Sequence, residues 1–194
     1  MQLTHQIPDA ELISAFLQGN EQALEPLIHK HKDKIYTAVY MLVKDKYVAE
    51  DIFQETFLKI IKTMRDGKYS EQGKFLPWAI RVAHNLCMDH FRRTRKDIPV
   101  TLADGRDISE VFQLTVGNHS ERIEQRQTNA GLRKLIEMLP EDQREVIVLR
   151  MYADLSFKEI ADITSVSINT ALGRMRYGLI NLRKMITEKQ MVLR

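Results

Sequence analysis

Residues 156–184 read SFKEIADITSVSINTALGRMRYGLINLRK, and this stretch decides how the chain is read. A short helix starts after Ser156 and ends near Ile163. Thr164-Ser165-Val166 makes a turn, and Ser167 caps a second, longer helix. Two helices joined by so short a turn cross at a steep angle, the geometry that carries a side chain into a major groove. Ile160, Ala161, Val166, Ile168, Ala171, Met175 and Leu182 form the expected apolar seam. Asn169, Thr170, Gly173, Arg174, Arg176 and Tyr177 are left facing outward. By itself the segment fits a helix-turn-helix, and it also fits an ordinary helical hairpin with a solvated basic face.

Working outward, Pro140 opens a further helix with Glu141 and Asp142 in its first turn, where acidic charge favours the helix dipole. Leu139, Val146, Leu149, Met151 and Tyr152 are expected to pack beneath the hairpin. Helical spacing extends upstream from Leu139 to about Glu121. Residues 97–120 show no sustained period. They carry Pro99, Gly105, Gly117 and four acidic residues against Arg106, which predicts a linker. Fully extended, it reaches up to ~80 Å.

Upstream, the apolar spacing is again helical. A capped helix follows Pro8-Asp9 and stops at Gly19-Asn20. A second runs from Glu21 to about Val43, and a third from Lys46 to Met64. A polar loop precedes a long helix from Phe75 to Lys96, with Pro77 in its first turn. No segment has a sustained strand period. The chain is therefore predicted to be all-α, with modules at 1–96 and 121–194 joined by the acidic linker at 97–120.

Composition bounds the possibilities. A 194-residue chain that is 44% hydrophobic and 28% charged can bury a core and is not a disordered chain. A net charge of +3 permits a polyanionic partner without requiring one. The single cysteine, Cys87, excludes an intramolecular disulfide and fits a reducing compartment. The first residues lack the pattern of a signal peptide, and no stretch has the length of a membrane span. The expectation is a soluble, cytoplasmic protein.

Two helices carry unusual patterns. Residues 75–96 begin amphipathic, with Trp78, Ile80, Val82, Ala83, Leu86 and Phe91. They end with Arg92, Arg93, Arg95 and Lys96, with Arg81 earlier. The helix dipole accounts for one or two of these cations. The remainder, beside Trp78, His84 and Asn85, form a surface able to track phosphates and meet bases. In residues 49–60, AEDIFQETFLKI, the side chains Asp51, Gln54, Glu55 and Leu58 share one stripe, opposite Phe53, Phe57, Ile60, Ile61 and Met64. That stripe is either a solvated face or, with Leu58 as an exposed apolar group, a docking face for a protein.

Catalytic chemistry finds little support. There is no glycine-rich phosphate loop and no nucleophile motif. His29 and His31 point different ways on one helix. His84, Cys87 and His90 span too wide an arc for an easy ligand set. No metal, cofactor or small-molecule substrate is expected, and the chain is not read as an enzyme.

Taken in order, ELISAFLQGNEQALEPLIHKH, AEDIFQETFLKI, FLPWAIRVAHNLCMDHFRRTRK, LPEDQREVIVLR and LSFKEIADITSVSINTALGRM resemble the extracytoplasmic-function branch of the bacterial sigma factors, over nearly the whole chain. The resemblance implies an alternative sigma factor whose first module has the region 2 fold and whose second has the region 4 fold. It implies that Asp51, Gln54, Glu55 and Leu58 dock on the clamp helices of the RNA polymerase largest subunit, and that the second module meets the flap region. It implies that Lys74, Trp78, Arg81, His84, Asn85, Asp89, Arg92 and Arg93 bind and open the promoter −10 element. The −35 element falls to Arg150, Lys158, Ser167, Asn169, Thr170, Gly173, Arg174, Arg176 and Tyr177. It further implies a membrane-associated anti-sigma partner and a bacterial cytoplasmic location.

The chain departs from the family pattern in three places. Thr164-Ser165 stands where Leu-Gly is usual, Leu172 where a basic residue is usual, and Gly173 where a small polar one is usual. The loss of a cation at 172 leaves more of the contact to Arg174 and Arg176. A stand-alone helix-turn-helix regulator with an N-terminal sensing domain is the competing reading. It leaves the acidic stripe and the aromatic-basic helix unexplained.

Overall fold

The computed structural model describes residues 7–96 and 131–188, and all regular structure among them is helical. Helix α1 (Asp9–Leu17) starts at Pro8 with Asp9 and Glu11 in its first turn, and buries Leu12, Ile13 and Phe16. Gly19, at φ 98°, turns the chain into a single 3-10 turn (Glu21–Ala23) capped by the Asn20 side chain. Helix α2 (Leu24–Val43) ends where Lys44 adopts a left-handed φ of 60°. Asp45 then starts α3 (Lys46–Arg65) by accepting from the backbone N–H groups of Tyr47 (2.8 Å) and Val48 (3.0 Å). After the loop at 66–74 comes α4 (Phe75–Lys96).

In the second group, a short helix α5 (131–137) leads into α6 (Glu141–Met151), with Pro140 at its N-cap. Helix α7 (Phe157–Thr164) carries a complete capping box between Ser156 and Glu159. Ser165 ends it in the left-handed region at φ 55°. This is how Thr164-Ser165 replaces the usual glycine, at the modest strain of a non-glycine left-handed residue. Ser167 caps α8 (Ile168–Glu188), its Oγ accepting from the Thr170 N–H at 3.0 Å.

Helices α2, α3 and α4 pack on one another around Leu27, Ile35, Met41, Ile60, Met64, Phe75 and Ile80, with α1 laid against α2. In the second group α6 packs on both α7 and α8, and it also packs on α2. Four consecutive α6 residues, Val146 to Leu149, are therefore buried, where a helix with one packed face would bury two at most.

The structure corrects several sequence expectations. Met151 is 65% exposed, outside the packing expected of it, and Ile168 is 47% exposed, outside the apolar seam. Ile168 is the first residue of α8, before the helix comes down onto α6. The buried line is carried by Ala171, Gly178 and Leu182 instead. Trp78 and Phe91 are only half-buried at the edge of the α4 core. Helix α3 runs one residue beyond Met64, to Arg65. The expected helical stretch at 121–130 and the linker at 97–120 lie outside the described residues.

Candidate nucleic-acid interface

Helix α3 turns Asp51, Gln54, Glu55 and Leu58 outward, as helical spacing requires. Leu58 is 68% exposed, and the core lies beneath Ile52, Thr56, Phe57 and Ile60. Thr56 is fully buried without cost, because its hydroxyl donates to the Ile52 carbonyl at 2.7 Å. Tyr47, one turn before Asp51, is 77% exposed and lengthens the same stripe. Its sequence signal is an aromatic at i−4 from Asp51, which helical spacing places on the same face.

The loop at 66–74 is organised by Glu71. Its carboxylate accepts from the Tyr69 hydroxyl at 2.7 Å and from the backbone N–H of Gly73. Burial, and then the bond to Glu71, push the Tyr69 phenol well above its ordinary pKa, so it stays protonated. The Tyr69 ring lies 4.3 Å from the Trp78 ring, between centroids. Lys68, Lys74 and Arg81 are exposed around this aromatic pair. The combination of cations and aromatic faces is suited to an unstacked strand.

Farther along α4, Asn85, Arg92 and Arg93 are exposed and Asp89 is half-buried; Arg92 is 3.0 Å from Asp89. His84 differs from the expectation. It is 5% exposed, and its Nε2 donates to Glu145 Oε1 on α6 at 2.7 Å. The side chains of Arg95 and Lys96 lie outside the described residues. Cys87 is fully buried and its thiol is pushed up to about 12 by desolvation, so it is a packing residue.

In the second group, Lys158, Asn169, Thr170, Arg176 and Tyr177 are exposed, with Tyr177 at 61%. Ser167 is occupied in capping α8, and Gly173 is half-exposed with open space around its Cα. Arg174 was expected to face outward. Instead its guanidinium turns back to α6, 3.4 Å from Asp142 and 3.8 Å from Glu145. Arg150 is likewise engaged: it donates to the Leu155 carbonyl at 2.8 Å and lies 5.5 Å over the Phe157 ring, closing the loop between α6 and α7. The Arg174 contacts were not visible in linear spacing, because they depend on the α6–α8 packing, and those of Arg150 depend on how the loop after α6 folds back.

Among the described residues no cluster of three His, Cys, Asp or Glu side chains is placed to hold a metal ion, and no helix is long and apolar enough to cross a membrane. His31 is buried against the Phe75 ring, with its Nε2 2.8 Å from Asp9. Its role is to tie α1 to α2.

The described residues thus form a helical bundle with an exposed acidic stripe and an aromatic-basic helix, followed by a helix-turn-helix. Comparison with known proteins agrees. The Sigma-70 region 2 family matches residues 27–97 and the Sigma-70 region 4 family matches residues 130–172, together more than half of the chain. The sequence is 31% identical over 154 residues to the ECF RNA polymerase sigma factor BldN of Streptomyces coelicolor, covering 79% of this chain and 56% of that protein. It is 26% identical over 175 residues to the ECF sigma factor SigW of Bacillus subtilis, covering 88% and 92%. In fold it is similar to CnrH, solved in complex with the cytosolic domain of CnrY (TM-score 0.62, 20% identity, 94% of this chain and 99% of that one). It is also similar to the sigma factor RpoE of Bartonella quintana, solved with the anti-sigma factor NepR (TM-score 0.64, 16% identity, 86% and 98%). The chain belongs to the extracytoplasmic-function branch of the sigma-70 family. Members of this branch are alternative sigma factors, which direct promoter-specific transcription.

Proposed function

We propose that this chain binds core RNA polymerase through the outward face of α3 and selects promoters with two separate DNA surfaces. Tyr47, Asp51, Gln54, Glu55 and Leu58 form the docking stripe for the clamp helices of the largest subunit. Residues 1–96 form the module that recognises and melts the −10 element, with Lys74, Trp78, Arg81, Asn85, Arg92 and Arg93 as the contacting groups. Residues 121–194 read the −35 element with the exposed face of α8, led by Asn169, Thr170, Arg176 and Tyr177, with Lys158 on the backbone. Residues 97–120 connect the two. The protein is a cytoplasmic specificity factor and not an enzyme. By analogy with the complexes of CnrH and RpoE, an anti-sigma factor controls it, and a membrane-associated one suits this branch.

The observation that carries the reading is the exposed acidic, apolar-tipped stripe on α3, on the far side of the helix from its core residues. A carboxylate pair beside an exposed leucine and tyrosine is wasted on a solvated face but matches a charged interface with an apolar centre. A stand-alone regulator would need a ligand cavity inside its N-terminal domain. That reading also leaves the exposed stripe on α3 without a role. Transcription with purified core polymerase and a promoter library tests the proposal. Selection of a defined −35/−10 pair, dependent on this chain, is the expected result.

A further inference from the structure

Leu172 stands on the outward side of α8, outside the core. It is 43% exposed, and α8 meets its support through Ala171, Gly178 and Leu182 instead. A leucine in water says little by its exposure alone. Its neighbours decide the case. Asn169 lies three residues before Leu172 and Arg176 four residues after it, so the three side chains share one side of the helix, and all are exposed. Gly173 lies beside them, with nothing within 4 Å of where its Cβ would be, so no side chain there holds the backbone away from a ligand. Ile168, one turn before Leu172 and 47% exposed, extends the apolar strip to the start of the helix. Arg174 is drawn back to Asp142 and Glu145, so it does not make up for a missing cation at 172.

These residues occupy the opening turns of α8, the end that a recognition helix presents to base edges. At 1.5 Å per residue, Asn169 and Arg176 are about 10 Å apart along the axis, with Leu172 between them. Successive bases of one strand are about 3.4 Å apart. A helix lying along the groove therefore carries the three side chains to different base pairs of one short stretch. Asparagine matches adenine, and arginine matches guanine, by paired hydrogen bonds. Leu172 can make no hydrogen bond and no charged contact with phosphate. The apolar group that a major groove offers it is the C5-methyl of thymine. Against any other base, leucine would cover a donor or an acceptor and strip it of water without replacing the bond, which is unfavourable. Attraction and exclusion thus favour the same base.

We propose that Leu172 is a specificity-determining residue of the −35 contact, selecting thymine through its C5-methyl group at a position between those met by Asn169 and Arg176. The inference rests on the assignment of α8 to the −35 element made above. A basic residue at 172 would add affinity for phosphate with little regard to sequence. The leucine gives up that affinity for a methyl-dependent choice.

The test uses holoenzyme made with the full chain, and a duplex recovered from the promoter library by the wild type. Each thymidine of its −35 element, on either strand, is replaced in turn by deoxyuridine, which pairs in the same way and lacks the C5-methyl. At one position the replacement should weaken wild-type binding by roughly 4-fold, the worth of one methyl-sized group withdrawn from contact. Leu172→Ala should bind the thymidine and deoxyuridine duplexes equally at that position. Position 172 is exposed and alanine is the best helix former, so this variant keeps the fold. Leu172→Arg should also lose the response to the methyl group and should steepen the salt dependence of binding. A −35 element without thymidine overturns the role of Leu172, as does a response to deoxyuridine that is the same in wild type and Leu172→Ala at every position. Loss of affinity of Leu172→Ala for core polymerase without DNA also overturns it, and makes the residue a protein contact. Wild-type binding that survives scrambling of the whole −35 element removes the assignment of α8 itself, an outcome separate from the others because it appears before any thymidine is changed.

Discussion

Gly178 of α8 lies so close to Ile147 of α6 that a Cβ at position 178 would meet Ile147 Cδ1 at 2.7 Å. This glycine sets how near the candidate recognition helix comes to its support. Gly178→Ala gains about 1 kcal/mol of helix propensity but overpacks a filled site, which costs roughly 1–3 kcal/mol. We expect a net loss of about 1 kcal/mol in urea denaturation. Ile147→Val removes the clashing methyl, so the double variant should be at least about 0.5 kcal/mol more stable than the two single effects sum to. Strict additivity would mean that α8 shifts away from α6 instead of colliding with it.

Charge reversal at Asp51 or Glu55 should abolish binding to core polymerase and leave the fold intact. Both side chains are exposed, so stability should change by less than about 0.5 kcal/mol. Charge pairs at an interface are worth several times that. A pull-down alongside thermal melting separates the two quantities. Tyr47→Ala should weaken the same interaction, and polymerase affinity equal to wild type in all three variants would exclude the α3 face.

Replacing Arg92 and Arg93 together by alanine should lower the salt dependence of holoenzyme binding to promoter DNA. Each lost phosphate contact reduces the log–log slope by about 0.9. Arg92 exchanges Asp89 for phosphate when DNA arrives, so its contribution is the smaller of the two. A slope identical to wild type would assign both residues to solubility and the helix dipole.

Arg176→Ala should relax discrimination between matched and scrambled −35 elements, since a bidentate base contact is worth about 1–3 kcal/mol. Arg174→Ala should instead weaken binding to both sequences alike, because its guanidinium supports α8 on Asp142 and Glu145. The reverse pattern in a footprint titration would place Arg174 in the groove.

Stability should fall on mild acidification, in part through His31. Burial lowers its pKa below the ordinary 6.5, opposed by the adjacent Asp9 carboxylate and reinforced by Lys30 and Lys34. The unfolded chain therefore binds more protons than the native one as pH drops below 6.5, so native stability declines through that window and is fully present above it. His31→Gln should flatten the melting temperature between about pH 6.5 and 5 relative to wild type. An unchanged acid slope would mean that Asp9 keeps the imidazolium as stable in the native state as in water.

Much of this protein is local, and what is local can be read from the chain. Apolar spacing placed α2 through α4 and the pair α7 and α8. Pro8, Asp45, Pro140, Ser156 and Ser167 begin helices where their backbone and side-chain chemistry says they should. The exposure of Asp51, Gln54, Glu55 and Leu58 follows from a period of 3.6 and one buried face. What the chain could not decide is set by how its helices and the loops between them pack, across five residues for Arg150 and across dozens for Arg174 and His84. Arg150, Arg174 and His84 have the residue types of a DNA surface, yet each is engaged by a partner that only packing supplies: the Leu155 carbonyl, Asp142 with Glu145, and Glu145 again. The burial of four successive residues in α6 has the same origin. A periodic pattern records one buried face, whereas α6 is covered from several sides by helices whose arrival depends on the tertiary fold.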